Sequence, residues 1–245
     1  MNANRSIEPK NSSSIPINKM NWQPWLRLFL FFLLIPGILF LSAGTANWLM
    51  GWLYTIMLVA IASASWIVML RTSPELLVER SQFLKAQGVK NWDKIIAPLV
   101  ALGGPLAIWI VAGLDLRYTW SPKLSVAWQL LALAITTLGY SIIIWAVGIN
   151  KFFSSVVRIQ KERGHTVVTQ GPYQLVRHPG YVGAILAYLA TPIALGSLWA
   201  IIPSGLTSLL LIVRTALEDR TLQQELEGYQ EYAQQVRYRL IVGLW

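Results

Sequence analysis

Between residues 25 and 213 the chain repeatedly runs almost without charge for about 20 residues, the length a helix needs to cross ~30 Å of hydrocarbon. These stretches are Trp25–Ala43, Trp48–Leu70, Ile95–Leu114 and Val126–Ile149, followed by the shorter Tyr181–Leu195 and Leu198–Val213. Only Gly196-Ser197 separates the last two, which predicts an antiparallel helical hairpin. Pro36-Gly37, Gly103-Gly104-Pro105 and Pro192 are expected weak points within their helices. The predicted fold is all-α, a polytopic transmembrane bundle of five to six spans. Trp22, Trp25, Trp48, Trp52, Trp92, Trp120, Trp128 and Trp199 lie near span ends, as an aromatic belt does.

Composition agrees. Charged residues make up 13% and hydrophobic ones 55%, where a soluble domain carries about a quarter charged. There is no cysteine, which rules out thiolate nucleophiles, zinc–thiolate sites and iron–sulfur clusters. His165 and His178 are the only histidines, so a multi-histidine metal site is not expected. The formal net charge is +9, and its cations flank apolar spans, which favours anionic lipid over nucleic acid as their partner.

Residues 1–20 are rich in Asn, Ser, Pro and Lys and are expected to form a disordered tail, with no apolar core of the kind a signal peptide has. Residues 21–149 carry the N-terminal helices, and 150–245 form a C-terminal region of different character. With six crossings and a cytoplasmic N-terminus, eighteen Lys and Arg fall on the cytoplasmic side and only Arg117 and Lys123 on the other. That asymmetry places 150–180 and 214–245 together at the cytoplasmic boundary.

Those two pieces hold the polar chemistry. Gly171-Pro172-Tyr173 and His178-Pro179-Gly180 are turn signals, the second set directly before a helix. Pro179 or Gly180 would open that helix and turn its positive end toward an anionic group. Tyr173 and Tyr181 can offer aromatic faces to a cation or an adenine. Arg214 follows the run Leu209–Val213, and Glu218 lies one helical turn on. An arginine at that depth is expensive unless it is paired or lines a wet cavity. The structural alternatives are an i,i+4 ion pair between Arg214 and Glu218, and lipid-headgroup binding by Arg177 and His178. Residues 214–239 read as an amphipathic cytoplasmic helix.

The string Val176-Arg177-His178-Pro179-Gly180-Tyr181-Val182-Gly183, after Gly171-Pro172-Tyr173 and before Arg214-x-x-x-Glu218-Asp219, resembles the isoprenylcysteine carboxyl methyltransferase family, and the phospholipid methyltransferases share the general pattern. The resemblance covers roughly residues 150–240. It implies methyl transfer from S-adenosylmethionine at the membrane face. It places the cofactor on Gln160, on His165, Thr166, Val167 and Val168, on Tyr173, on His178, Pro179, Gly180 and Tyr181, and on Glu218. Arg214 falls where the family arginine contacts the acceptor. Two departures are the short spacing from Gln160 to His165 and Asp219 where a second Glu is usual.

The expected partners are therefore a lipidic or prenylated acceptor entering from the bilayer and the membrane lipids themselves, with no nucleic acid and no metal. No evident general base is present, which favours a carboxylate acceptor, already ionised at neutral pH. The rival readings are an NADPH-dependent membrane sterol or lipid reductase and a non-catalytic lipid-binding bundle.

Overall fold

The computed structural model describes residues 23–81 and 86–245, with side chains in the first helix from Leu33 onward. The predicted tail over residues 1–20, Trp22, Lys85 and the Trp25 side chain lie outside the described residues.

The described residues form helices and turns, with no strand. In chain order the helices are α1 (Gln23–Ala43), α2 (Leu49–Thr72), α3 (Pro74–Ser81), α4 (Asp93–Pro98), α5 (Gly104–Tyr118), α6 (Val126–Ile149), α7 (Pro179–Ala194), α8 (Ile201–Glu225) and α9 (Tyr229–Gln235). Among the described residues four segments are long and apolar enough to cross a membrane: Leu49–Thr72, Asp93–Tyr118, Val126–Ile149 and Ile201–Glu225. α1 runs through Pro36 as one helix, and α7 has 16 residues. Large apolar side chains face outward along these helices, among them Ile56, Leu138, Leu206 at 61% and Leu209 at 60% exposure. Such an outer surface suits hydrocarbon, where every backbone polar group must be satisfied inside the helix or by a neighbour.

The helix order is set by close approaches at small residues. α6 and α7 make the most extensive contact, because Gly139 and Gly183 face each other. A Cβ on either would sit inside contact distance of the other's carbonyl oxygen. Gly113 meets Ser42 at the α1–α5 contact, and Gly104 meets Thr207 between α5 and α8. Small residues let membrane helices pack where lipid supplies no hydrophobic drive.

Proline positions are compensated by neighbours. Pro192 leaves the carbonyl of Tyr188 without its helical donor, and Ser204 on α8 donates to that oxygen at 2.7 Å. The weak point at Gly103-Gly104-Pro105 is a π-helical turn over Leu99–Gly103, in which Gly104 N–H reaches back five residues to Leu99 O. The next bond in that pattern would need an N–H on Pro105. Tyr188 of α7 donates its hydroxyl to Val100 O at 2.9 Å instead.

Polar clasps at the two ends define the bundle. At one end Asp115 accepts from Ser121 N at 2.7 Å, Ser121 Oγ at 2.6 Å and Ser197 Oγ at 2.5 Å. This end carries Arg117, in the last turn of α5, and Lys123. At the other end Lys90 N donates to Val157 O at 3.1 Å, and Arg80 donates through Nε and Nη2 to Phe153 O at 3.1 and 2.9 Å. α7 connects the two ends. α8 is one helix through Glu225, so no separate cytoplasmic helix begins at residue 214. The expected helix over 214–239 is broken at Leu226–Gly228, where Leu226 is extended and Gly228 takes φ +79°. A left-handed residue there turns α9 back over the end of α8.

Candidate active site

The loop over residues 150–178 contains only two short 3-10 turns, Lys161–Arg163 and Gly171–Gln174. It is held by side chains instead. Asn150 Oδ1 accepts from Phe152 N at 2.8 Å and Gln160 Nε2 donates to Phe152 O at 2.8 Å. Ser154 Oγ donates to the buried Glu79 of α3 at 2.6 Å. Asp93, at the start of α4, accepts from Val157 N at 2.6 Å. Between this loop and the ends of α6, α7, α8 and α9 lies a cavity of about 340 Å³. That is the low end of the size range for small-molecule sites.

His165, Thr166, Val167, Val168 and Tyr173 line the cavity from the loop. His178, Pro179, Gly180 and Tyr181 line it from the start of α7, and Arg214 and Glu218 from α8. Gln160 is not among the lining residues. It is fully buried behind the loop, where its Oε1 accepts from Arg163 and its Nε2 ties Phe152. Its hydrogen bonds stiffen the wall on which His165 rests.

Glu218 and Asp219 are adjacent in sequence and differ in environment. Glu218 is half-buried on the cavity and accepts a hydrogen bond from the Tyr181 hydroxyl. The Tyr181 ring stacks on His178 at 5.8 Å and lies beneath the Arg214 guanidinium at 5.5 Å. Asp219 is fully buried on the other side of α8. It takes Arg177 as a fork at 2.7 and 3.0 Å, Arg239 Nε at 2.8 Å, Gln223 Nε2 at 2.7 Å, the Tyr229 hydroxyl at 3.1 Å and His178 Nε2 at 3.2 Å.

Arg177 is therefore a buried tie rather than a headgroup ligand. It also donates to Val236 O at 2.8 Å and Arg237 O at 2.7 Å, and backbone bonds from Arg177 N and His178 N to Tyr238 O and Arg239 O close the C-terminal segment over the site. The start of α7 is partly used up by the same packing. Pro179 has no N–H, His178 N is bound to Arg239 O, and Tyr181 and Val182 return theirs to His178 O. It offers an anion less than an open helix end would.

Arg214 does not pair with Glu218. It forms a fork with Asp93, Nε to Oδ1 at 2.7 Å and Nη2 to Oδ2 at 3.0 Å, and Nη2 also donates to Ser155 O at 3.0 Å. Asp93 is fully buried and carries no motif; the available signal is a lone acid two residues ahead of the apolar run that begins at Ile95. Asn150, Phe152, Phe153, Tyr229 and Tyr232 also line the cavity and carry no motif. Asn150 Nδ2 donates to the Tyr173 hydroxyl at 3.1 Å, and Tyr232 donates to Tyr173 O at 2.6 Å.

Burial keeps two titratable side chains of the loop, His165 and Tyr173, uncharged. Burial, reinforced by Arg163 and Arg158, pushes His165 down to about 4. Its Nδ1 accepts from Gln160 N at 3.3 Å, which places the proton of the neutral ring on Nε2. Burial pushes Tyr173 up, so its hydroxyl stays protonated.

The cavity is polar at one end and apolar at the other. Its deep end runs between the helices past Val100 and Ala101 of the π-helical turn, Ile143, Ala184, Tyr188 and Leu211.

Residues 126–224 match the model of the isoprenylcysteine carboxyl methyltransferase (ICMT) family. A probable protein-S-isoprenylcysteine O-methyltransferase from Oryza sativa subsp. indica is 32% identical over 94 residues, which is 36% of this chain and 47% of that protein. Protein-S-isoprenylcysteine O-methyltransferase B from Arabidopsis thaliana is 32% identical over 89 residues, 36% of this chain and 45% of its own. The chain thus spans about half the length of the curated relatives it matches. From the start of α6 almost to the end of α8 the chain resembles the isoprenylcysteine carboxyl methyltransferase family, and most of the cavity wall comes from that stretch.

Proposed function

We propose that this protein is an integral membrane methyltransferase that uses S-adenosylmethionine and acts on a lipidic acceptor, in the manner of isoprenylcysteine carboxyl O-methylation. The observation that carries this reading is one cavity with two chemistries. A polar end holds Glu218, Tyr181, His178 and Tyr173, and an apolar arm runs between membrane helices, with Arg214 at the join. The similarity to relatives named for S-isoprenylcysteine O-methylation adds independent support.

The residues present fit the methyl donor. When bound, it supplies a methyl group on a positively charged sulfur. Glu218 and the Tyr173 and Tyr181 rings are suitable neighbours for that cation and for an amine. Val167, Val168 and Leu226 form an apolar wall for a nucleoside, with His165 and Thr166 beside it. Tyr181, held by Glu218 and stacked on His178, joins the cofactor wall to Arg214. Arg214 would orient an acceptor carboxylate, which needs no base at neutral pH. Alignment of two reactants in this way is worth about 7–11 kcal/mol of barrier. We place this end of the bundle at the cytoplasmic boundary, because the basic residues concentrate there.

Calorimetry on the protein in lipid nanodiscs, with S-adenosylhomocysteine and NADPH as ligands, tests the reading. S-adenosylhomocysteine is expected to bind, and labelled methyl from S-adenosylmethionine is expected to enter an acceptor in a lipid and prenyl-peptide extract, identified by mass analysis. Binding of NADPH alone would make the protein a reductase, and binding of neither would leave a lipid-associated bundle.

A further inference from the structure

Asp93 lies outside the stretch that resembles the methyltransferase family, yet it is the group that disposes Arg214. Its carboxylate is fully buried. Oδ1 takes Arg214 Nε, and Oδ2 takes both Arg214 Nη2 and Val157 N. Ser155 O holds Nη2 a second time. Two of the three guanidinium nitrogens are thereby engaged. Among the described residues the hydrogen bonds of Arg214 run from Nε and Nη2 and none from Nη1, and Arg214 lines the cavity. The fork that an incoming carboxylate would ordinarily occupy is filled by the protein's own carboxylate.

We propose that Asp93 is a positioning residue for the acceptor: it restricts Arg214 to a one-point contact through Nη1 and leaves the second oxygen of an acceptor carboxylate free to attack the donor's methyl carbon, so that the O–CH3 bond would form as the CH3–S bond breaks and its electron pair leaves with neutral S-adenosylhomocysteine. This rests on the methyltransferase reading above. A guanidinium with an open fork binds both oxygens of a carboxylate at once. That contact strengthens ground-state binding, and it ties down the lone pairs that must attack carbon. Interactions that hold the ground state as tightly as the transition state do not raise kcat. Asp93 also neutralises Arg214, so less electron density is drawn from the nucleophile. The Val157 and Ser155 contacts keep the guanidinium plane over the Tyr181 ring, and hence over the wall that Glu218 shares.

The test uses the full chain in nanodiscs, S-adenosylmethionine, and N-acetyl-S-farnesylcysteine as the acceptor probe. In Asp93→Asn the fork opens. KM for the probe is expected to stay level or fall, kcat to drop at least tenfold, and S-adenosylhomocysteine affinity to stay within twofold. Opening the buried pair lowers the melting temperature in either case, so the readout is the split: a merely structural role would lower cofactor affinity together with kcat, and that result overturns the inference, as does an unchanged kcat. Arg214→Lys keeps the charge beside Asp93 and removes Nη1, so it reads the same point independently of any Asp93 variant that fails to fold. It is expected to lose kcat at least tenfold with cofactor affinity intact, and full turnover by it defeats the proposal. If the unaltered protein binds no S-adenosylhomocysteine and methylates nothing, the methyltransferase reading itself fails, and the Asp93 inference falls with it.

Discussion

Arg214 and Asp93 are 121 positions apart in the chain and form a two-point ion pair in the buried floor of the site. It ties α8 to the first turn of α4, and through Val157 to the loop above the cavity. The half of the molecule without a family motif is thereby built into the half that has one.

Removing one partner of such a pair strands the other as an uncompensated charge. Arg214→Ala is expected to destabilise the protein by about 3–5 kcal/mol and to abolish turnover. The double variant Asp93→Ala/Arg214→Ala should be more stable than Arg214→Ala alone, because no lone charge remains. Melting curves of the three proteins in one detergent check this. Equal losses in the single and double variants would mean that the pair is not coupled.

Glu218 faces the cavity and has the Tyr181 hydroxyl as its partner. Glu218→Gln is expected to weaken S-adenosylhomocysteine binding at least tenfold while leaving the melting temperature within a few degrees. Tyr181→Phe, which keeps the ring, should weaken it less. Calorimetry decides, and unchanged affinity in Glu218→Gln would remove Glu218 from the cofactor site.

Asp219 serves stability rather than ligand contact. Asp219→Ala leaves Arg177 buried without its carboxylate and frees Arg239, so a loss of about 3–5 kcal/mol is expected. Faster amide exchange at Arg177, His178, Tyr238 and Arg239, measured by hydrogen–deuterium exchange, should accompany it. Protection equal to that of the unaltered protein would show that the C-terminal segment does not depend on this hub.

His165 carries a pH signature with a defined sign. Its value near 4 in the folded protein lies below the ordinary 6.5, so above pH 6.5 it is neutral folded or unfolded and contributes nothing to pH dependence. As pH falls from 6.5 toward 4 the unfolded chain takes a proton that the folded one refuses, and stability declines. Below about 4 the loss is complete. His165→Gln should flatten that part of the melting-temperature profile. An unshifted His165 titration near 6.5, by nitrogen NMR of the two histidines, would contradict this.

The α6–α7 contact depends on having no side chain at Gly139 and Gly183. Gly183→Ala is expected to cost about 1–3 kcal/mol through overpacking, because the new methyl meets backbone rather than a movable side chain. Thermal denaturation of Gly183→Ala beside Gly205→Ala, which has open space around it, separates packing from a general effect of glycine replacement.

Local pattern was enough for the four long apolar helices, for a weak point at Gly103-Gly104-Pro105 and for the start of α7 at Pro179, because apolar run length and proline act within a few residues. His165, Thr166, Val167 and Val168 were singled out through the family resemblance, and Tyr173, His178, Tyr181, Arg214 and Glu218 also by turn signals and charge beside an apolar run; the fold gathers all of them on one cavity. Partner choice was not legible. Arg214 has Glu218 one helical turn away in sequence and selects Asp93 across the bundle; Arg177, for which headgroup binding was the structural alternative, is buried on Asp219. Gln160 carries a motif position and supports the loop from behind. In each case the sequence by itself determined which polar groups flank the apolar helices, because hydrophobicity and spacing are properties of a short stretch of chain. The tertiary structure alone decided which of them face each other, because a buried charge takes whichever counter-charge the packing of distant helices brings within about 3 Å.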